Sequence, residues 1–227
     1  MKGLSINKPI LFPADTIIEV VGNVGSGRTT ICKKIAKISN LNCHLIKTHT
    51  TNPFLSKYVK NQERWAFTTD VQFTYERAKQ VHQIVRHLKE SPLIIDNSFD
   101  MHLYVYSKNE YLEGEMNQDE WELLQKIQRE LLRETPPITA TIFLDVPIDM
   151  IMKRIEERAR EHELEYSKKY LTQLQDRIAE YRKDLIALKK RKTIATYNRV
   201  AKELTFHTSP NPSIKKLFQV FKALSLP

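Results

Sequence analysis

Three of the five glycines in this 227-residue chain lie within six residues, at Gly22, Gly25 and Gly27. They directly follow the apolar stretch 17–21, which has the composition of a buried strand. Glycine permits positive φ and close backbone approach, so the cluster predicts a turn whose N–H groups face an anion. A strand, a glycine-rich turn and a helix together form a cradle for phosphate.

The spacing from Gly22 through Gly27 to Thr29 fits the P-loop pattern, but Arg28 stands where that pattern has lysine. We expect the N–H groups of 24–29 to hold the β-phosphate of a nucleotide and Thr29 to ligate Mg²⁺. A cation at position 28 would bridge the β- and γ-phosphates. Arginine keeps the charge, but its planar fork is bulkier than the lysine ammonium. The loop residues predicted to bind nucleotide phosphate are Gly22, Gly25, Ser26, Gly27, Arg28, Thr29 and Thr30.

Composition indicates a globular chain that is one domain over 1–227. Apolar residues make up 41% and charged residues 28%, and no apolar run approaches the length of a membrane span. The net charge of +9 favours anionic partners but does not choose among nucleotide, nucleic acid, lipid and acidic protein. The two cysteines have no disulfide or metal spacing, which favours a reducing compartment.

Strand-like and helix-like segments alternate along the chain, which predicts an α/β fold of the P-loop NTPase type. Its parallel sheet has about five strands, with helices on both faces. The predicted strands are 16–21, 43–47, 93–96, 141–146 and 204–206. The predicted helices are 28–39, 63–90, 99–112, 117–134, 148–160 and 211–224, with Gly114 in a turn. The span 167–200 is predicted to carry a long basic helix.

Several segments, in their order and spacing, resemble the deoxyribonucleoside kinase family. They are the loop at 22–27, Asn-Pro-Phe-Leu at 52–55, Trp-Ala-Phe at 65–67, Asp-Asn-Ser at 96–98, 116–121, and the arginine-rich segment 154–163. That family transfers the γ-phosphate of ATP to the 5′-hydroxyl of a deoxynucleoside. The resemblance implies Mg²⁺ and ATP, or a retained purine nucleotide, as ligands. It also implies an arginine-rich lid over the cleft.

The resemblance assigns roles to individual residues. Asp96 would hold Mg²⁺ or its water, and the lid residues Arg158 and Arg160 would act with it in catalysis. Arg154 and Arg158 are four residues apart on a predicted helix, so this pair shares one face and can clamp phosphates. A solvated basic helix end, paired with neighbouring glutamates, is the alternative. The residues that match the nucleoside-binding positions are Trp65, Asp70, Arg77, His102 and Glu163.

Several functional positions depart from the family pattern. The stretch 46–51 has no carboxylate where the family has its general-base glutamate, and Asn97 replaces an arginine. Asp70 matches the base-reading glutamine and His102 its aspartate partner. An aspartate cannot supply the donor and acceptor pair of an amide. His49 is an alternative base, although a histidine in a threonine-rich turn more often bonds only to backbone.

Two functions therefore remain open. One is a catalytically degenerate homologue that binds a nucleotide and works as an accessory subunit with other proteins, as in mitochondrial respiratory complex I. The other is an active deoxynucleoside kinase with altered base choice. The first implies the matrix side of the mitochondrion and the second the cytoplasm. Nucleic-acid binding is not favoured, because no groove-reading motif is present. Basic residues at 183 and 189–192 suggest a surface for an acidic partner.

Overall fold

A six-stranded sheet forms the centre of the described chain. The computed structural model describes residues 9–46, 52–87, 91–97, 100–133, 135–208 and 212–223. The strands are β1 (Ile17–Val21), β2 (Asn42–Leu45), β3 (Leu93–Asp96), β4 (Ala140–Asp145), β5 (Thr193–Asn198) and β6 (Glu203–Phe206). They lie in the order β2-β3-β1-β4-β5-β6. All neighbours are parallel except β6, which is antiparallel to β5.

Helices cover both faces of this sheet. They are α1 (Arg28–Lys37), α2 (Leu55–Lys60), α3 (Gln62–His87), α4 (Lys108–Leu112), α5 (Gln118–Leu131), α6 (Ile148–Arg158), α7 (Glu161–Leu164), α8 (Lys168–Ala187) and α9 (Pro212–Ala223), with a π-helical turn at His102–Ser107. Alternate residues of β1 enter opposite cores: Ile18 packs with Ile31 of α1, and Val21 with Leu174 of α8. Within the described residues, no helix is long and apolar enough to span a membrane.

The α/β prediction is confirmed, and the span 167–200 contains the predicted long helix, but it also contains a strand that was not predicted. That stretch is α8 followed by β5, so the sheet has six strands rather than about five. Helices often end at glycine because the closing residue needs positive φ. Here Lys189 takes φ 51° instead, so the sequence shows no glycine at the boundary. The other predicted elements are present with shifted ends, and residues 47, 88–90, 99, 134, 211 and 224 lie outside the described ranges.

A buried ion pair joins the middle of β1 to the linker before β5. Glu19 is fully buried, and the Nε of Arg191 lies 3.4 Å from its Oε1. The Nη2 of Arg191 lies 3.1 Å from Asp100 Oδ2, and the Thr141 hydroxyl donates to Glu19. Burial opposes the charge of Arg191, but the Glu19 carboxylate leaves its pKa raised. Arg191 is therefore not part of the predicted basic surface.

We expect Arg191→Met to lower the free energy of unfolding by about 3–5 kcal/mol, because it removes the cation paired with buried Glu19. Urea denaturation measures the loss. Lys190→Met, at the exposed neighbouring position, is the control and should change stability by less than about 0.5 kcal/mol. Glu19→Gln combined with Arg191→Met should lose less than the sum of the two single losses. If Arg191→Met changes the free energy of unfolding no more than Lys190→Met does, the pairing of Arg191 with Glu19 is contradicted.

Candidate nucleotide site

A cleft of about 530 Å³ lies at the carboxyl ends of β1 and β3. The loop after β1 forms one wall, and Arg77 of α3 and Asp96 at the end of β3 lie deeper. The π-helical turn contributes His102 and Tyr106, and the segment after α6 contributes the lid. In open parallel sheets ligands bind at this edge, where neighbouring strands lead to opposite sides of the sheet.

The glycine-rich loop adopts the predicted strand–turn–helix arrangement. Gly25 and Gly27 have φ values of 73° and 88°, and Gly27 immediately precedes α1. A Cβ on Gly22 would lie 3.1 Å from the Cβ of Leu144, so this position also requires a close backbone approach. The N-terminus of α1 carries unpaired N–H groups and a positive partial charge. The loop therefore presents an anion-binding surface to the cleft.

Arg28 lies between the loop and β3. Its Nη1 donates to the carbonyl of Gly22, and its Nε lies 3.2 Å from Asp96 Oδ1. The Tyr106 hydroxyl lies 3.4 Å from the same Nη1. The Arg28 side chain is 17% exposed, so this guanidinium is largely enclosed. Arginine thus occupies the lysine position of the P-loop pattern and contacts the Gly22 carbonyl and Asp96.

Thr29 and Asp96, the two residues predicted to hold Mg²⁺, lie next to each other in the cleft lining. The hydroxyl of Thr29 donates to Asp96 Oδ2, which places a hydroxyl and a carboxylate side by side. Both are hard oxygen ligands, and Mg²⁺ is usually bound by one or two such groups together with substrate phosphates. The described residues contain no cluster of three or more histidine, cysteine or acidic side chains that could bind a metal unaided. The two residues fit Mg²⁺ that arrives with a nucleotide.

The lid arginines meet on one carboxylate. Arg158 donates to Glu163, and the Nη1 of Arg160 lies 3.2 Å from Glu163 Oε1. All three residues line the cleft, and Glu163 is 5% exposed. Arg154 lies elsewhere, with its Nη1 3.4 Å from the carbonyls of Gly25 and Ser26. Arg154 therefore contacts the back of the loop, and Arg158 and Arg160 face the cleft.

Sequence reasoning missed Arg199, which follows β5. Its Nη1 donates to the carbonyl of Ser26 at 2.8 Å, and a Cβ on Gly27 would lie 2.2 Å from that nitrogen. Burial and the nearby charge of Arg154 lower the pKa of Arg199. The β-branched and aromatic residues of 193–198 were a strand signal. Recognising that strand would have placed Arg199 at the cleft edge of the sheet.

The matches to the nucleoside-binding positions divide into two groups. His102 and Arg77 line the cleft, whereas Asp70 is fully buried and bonds through Oδ1 to His102 Nε2 at 3.1 Å. Burial lowers the pKa of His102 and, together with the charge of Arg28, lowers the pKa of Arg77 to about 10. Asp70 is therefore withdrawn from the cleft, and Arg77 remains a cation at neutral pH.

Trp65 is not among the cleft-lining residues. Its ring stacks on Phe54 at 5.8 Å between centroids, and Lys57 Nζ lies 4.7 Å from the ring centroid. The family resemblance predicts that Trp65 contacts a nucleoside. In the structure its ring packs against Phe54 and Lys57 instead. Ser98 and the segment 47–51, with His49 and the general-base position, lie outside the described residues.

Sequence reasoning also missed Glu110, which lines the cleft and is 7% exposed. Its Oε2 is buried and has no hydrogen-bond partner among the described residues. His102, Tyr106 and Glu110 are spaced four residues apart, which is the spacing of one helical face. That spacing was the available signal, since no motif contains Glu110.

The sequence profile of the family described as "Deoxynucleoside kinase" matches residues 18–218. The chain belongs to this family. The deoxyadenosine/deoxycytidine kinase of Bacillus subtilis (strain 168) is 28% identical over 167 residues, which cover 73% of this chain and 76% of that protein. The deoxyguanosine kinase of the same organism is 25% identical over 159 residues, which cover 69% of this chain and 73% of that protein.

Solved structures support the same fold. The structure of deoxyadenosine kinase from M. mycoides with bound dATP aligns with a TM-score of 0.64 and 22% identity, covering 78% of this chain and 88% of that chain. The structure of that enzyme with bound dCTP gives the same TM-score at 19% identity, covering 76% of this chain and 86% of that chain. At these identities the likeness establishes the fold.

We expect Gly27→Val to weaken ATP binding at least about tenfold, or about 1.4 kcal/mol. The new Cβ would collide with Arg199 and would strain the backbone, because Gly27 has φ 88°. Calorimetry with MgATP measures the change. Gly114→Val is the matched control, since Gly114 has φ 81° and a Cβ there would meet no heavy atom within 4 Å. It should cost stability and leave ATP affinity intact. Unchanged binding in Gly27→Val would place the nucleotide elsewhere.

Proposed function

We propose that this protein binds a purine nucleoside triphosphate with Mg²⁺ in the cleft, transfers its phosphate poorly, and works as an accessory subunit of a larger assembly. The observation that supports this most directly is the pairing of Arg28 with Asp96. In a working P-loop kinase the group at position 28 binds phosphate, and the carboxylate at 96 serves the metal. Here the two groups neutralise each other.

That pairing disfavours phosphoryl transfer for a geometric reason. Transfer depends on positioning and on a cation that follows the charge developing on the γ-phosphate. The Arg28 guanidinium donates to the Gly22 carbonyl as well as approaching Asp96. Moving it onto a phosphate would break both contacts, and a planar fork does not reproduce the point charge of lysine.

Two further positions support weak catalysis. Asn97 replaces the arginine of the family motif, which removes a cation beside Asp96, and its φ is 72°. Lys47 stands at the general-base position, where the family has glutamate. Loss of a general base typically lowers a rate by about 10²–10⁴-fold. A chain with all three changes would retain binding more readily than turnover.

The accessory role rests on the surface at the end of α8. Lys183, Lys189, Lys190 and Lys192 are all exposed, and Leu188 among them is 62% exposed. Some cationic charge is expected near a helix C-terminus, where it interacts with the helix dipole. The remaining positive charge, with the exposed Leu188 among the lysines, is suited to bind an acidic protein surface that has an apolar centre. By analogy with the kinase-like subunit of respiratory complex I, we place this role on the matrix side of the mitochondrion.

An active deoxynucleoside kinase is the second candidate, and it would fit a cytoplasmic location. The two Bacillus subtilis relatives are a deoxyadenosine/deoxycytidine kinase and a deoxyguanosine kinase. Asp96 with Thr29, and Arg158 with Arg160, also face the cleft as such a reaction requires. The sequence departures at positions 28, 47 and 97 argue against this candidate.

A phosphotransfer assay distinguishes the two candidates. It uses the purified protein with radiolabelled ATP, Mg²⁺ and the four deoxynucleosides. We expect turnover at least about a hundredfold below 1 s⁻¹, the low end of ordinary enzyme rates. Turnover near about 1 s⁻¹ would overturn the proposal. Affinity purification from the native source should recover the chain in a stable assembly that depends on the lysines at the end of α8. Recovery as a free monomer would overturn the accessory role.

If the substitutions at positions 28 and 47 limit the rate, Arg28→Lys combined with Lys47→Glu should raise phosphotransfer at least about tenfold above the parent. Each single change should do little, since groups that act as a unit are not additive. Lys60→Glu combined with Arg64→Lys makes the same two changes at exposed positions and should leave the rate unchanged. If the double variant folds but its phosphotransfer rate does not rise, the nucleoside pocket is what limits the rate.

A further inference from the structure

Two buried polar side chains at the inner end of the cleft carry atoms that have no hydrogen-bond partner among the described residues. Glu110 is 7% exposed, and the atom concerned is its Oε2. Arg77 is 6% exposed, and the atoms concerned are its Nε and Nη1. Both residues line the cleft. Buried polar groups are rarely left unpaired, so an unpaired donor and an unpaired acceptor on two cleft-lining side chains indicate a polar ligand.

The surroundings of Glu110 favour its neutral form. Burial raises its pKa well above the ordinary value, and the carboxylates of Asp70 and Glu115 add to this effect. His102 does not oppose it with a charge, since burial lowers the pKa of His102. The titratable and charged groups around Glu110 are Tyr58 of α2, Asp70 and Arg77 of α3, His102 of the π-helical turn, Glu115 after α4, and Tyr166 and Tyr170 near the start of α8.

We propose that Glu110, as a neutral carboxylic acid, reads the nucleobase in this cleft. A neutral carboxyl offers one O–H donor and one carbonyl acceptor, the same pair that an amide offers. Asp70, at the position of the family's glutamine, is fully buried, bonds to His102 and is not among the cleft-lining residues. The assignment rests on the proposed nucleotide-binding function and names the chemistry of its nucleoside end.

The ligand class follows from the donor and acceptor order. Adenine carries an amine N–H beside the ring acceptor N1, so the neutral Glu110 carboxyl can accept from the amine and donate to N1. The ionised carboxylate would repel N1. Guanine instead presents two adjacent donors, N1–H and N2–H, which suit a carboxylate. Arg77 can donate to a further ring acceptor of either base. The neutral acid therefore fits an adenine-type edge, and ionisation favours guanine.

Calorimetry with deoxyadenosine and deoxyguanosine, from mildly acidic to alkaline pH, tests this assignment. In the wild-type protein we expect deoxyadenosine affinity to fall at least about tenfold as the pH rises through the raised pKa of Glu110. Deoxyguanosine affinity should not fall. Glu110→Gln should keep deoxyadenosine binding and abolish its pH dependence. Glu110→Leu should weaken binding throughout the range.

Glu115→Gln is the matched control. Glu115 accepts from the Tyr58 hydroxyl at 3.0 Å and raises the pKa of Glu110 without being among the cleft-lining residues. This variant should keep the loss of deoxyadenosine affinity, displaced slightly to lower pH. If Glu110→Leu binds like the wild type, or the wild-type affinity is independent of pH, the assignment is wrong.

A stability measurement gives a readout that does not depend on ligand. Because folding raises the pKa of Glu110, the folded state retains a proton that the unfolded state has released. Wild-type stability should therefore fall as the pH rises from the ordinary glutamate pKa through the raised one. Glu110→Gln should lack that component. The same fall in Glu110→Gln would show that another group holds the proton and would overturn the assignment.

The proposed function and this assignment fail in different ways. Brisk phosphotransfer would overturn the accessory proposal, and the pH profile of deoxyadenosine binding would still decide the role of Glu110. If MgATP binds but no deoxynucleoside binds at any pH, the assignment of Glu110 is wrong and nucleotide binding stands. Thermal unfolding of every variant confirms that each comparison is made between folded proteins.

Discussion

The contacts of Arg28 with the Gly22 carbonyl and with Asp96 tie the glycine-rich loop to β3. An anion-binding loop must turn its N–H groups inward, so its carbonyls need donors on the other side. Arg154 and Arg199 donate to the carbonyl of Ser26 from behind. Three guanidinium groups from separate elements thus hold one short loop. Its shape is fixed before any phosphate binds, which reduces the ordering cost of binding.

The sequence predicted the geometry of the glycine-rich loop because that loop is built locally. The strand, turn and helix around Gly22–Gly27 are continuous in the chain, and positive φ at Gly25 and Gly27 is the property that glycine provides. The order of strands and helices likewise followed from hydrophobic patterning. β5 was missed because Lys189 adopts positive φ at the end of α8, so that boundary had no glycine signal.

The nucleoside end could be predicted only in part because its chemistry comes from packing between distant elements. The resemblance to the family identified Asp70 and Arg77 on α3, and both are buried. The spacing of residues along the sequence does not reveal that His102 bonds to Asp70, or that Glu110 is buried. Those outcomes depend on how α2, α3 and the π-helical turn meet. Protonation is therefore a property of the fold here rather than of the residue type.

The pairing of Glu19 with Arg191 bears on the order in which the chain can fold during synthesis. β1 is an inner strand, and its partner β4 emerges from the ribosome more than a hundred residues later. The cation that pairs with Glu19 comes later still, in the linker before β5. A carboxylate cannot be buried cheaply without a cation. The core therefore cannot be completed until synthesis has passed Arg191.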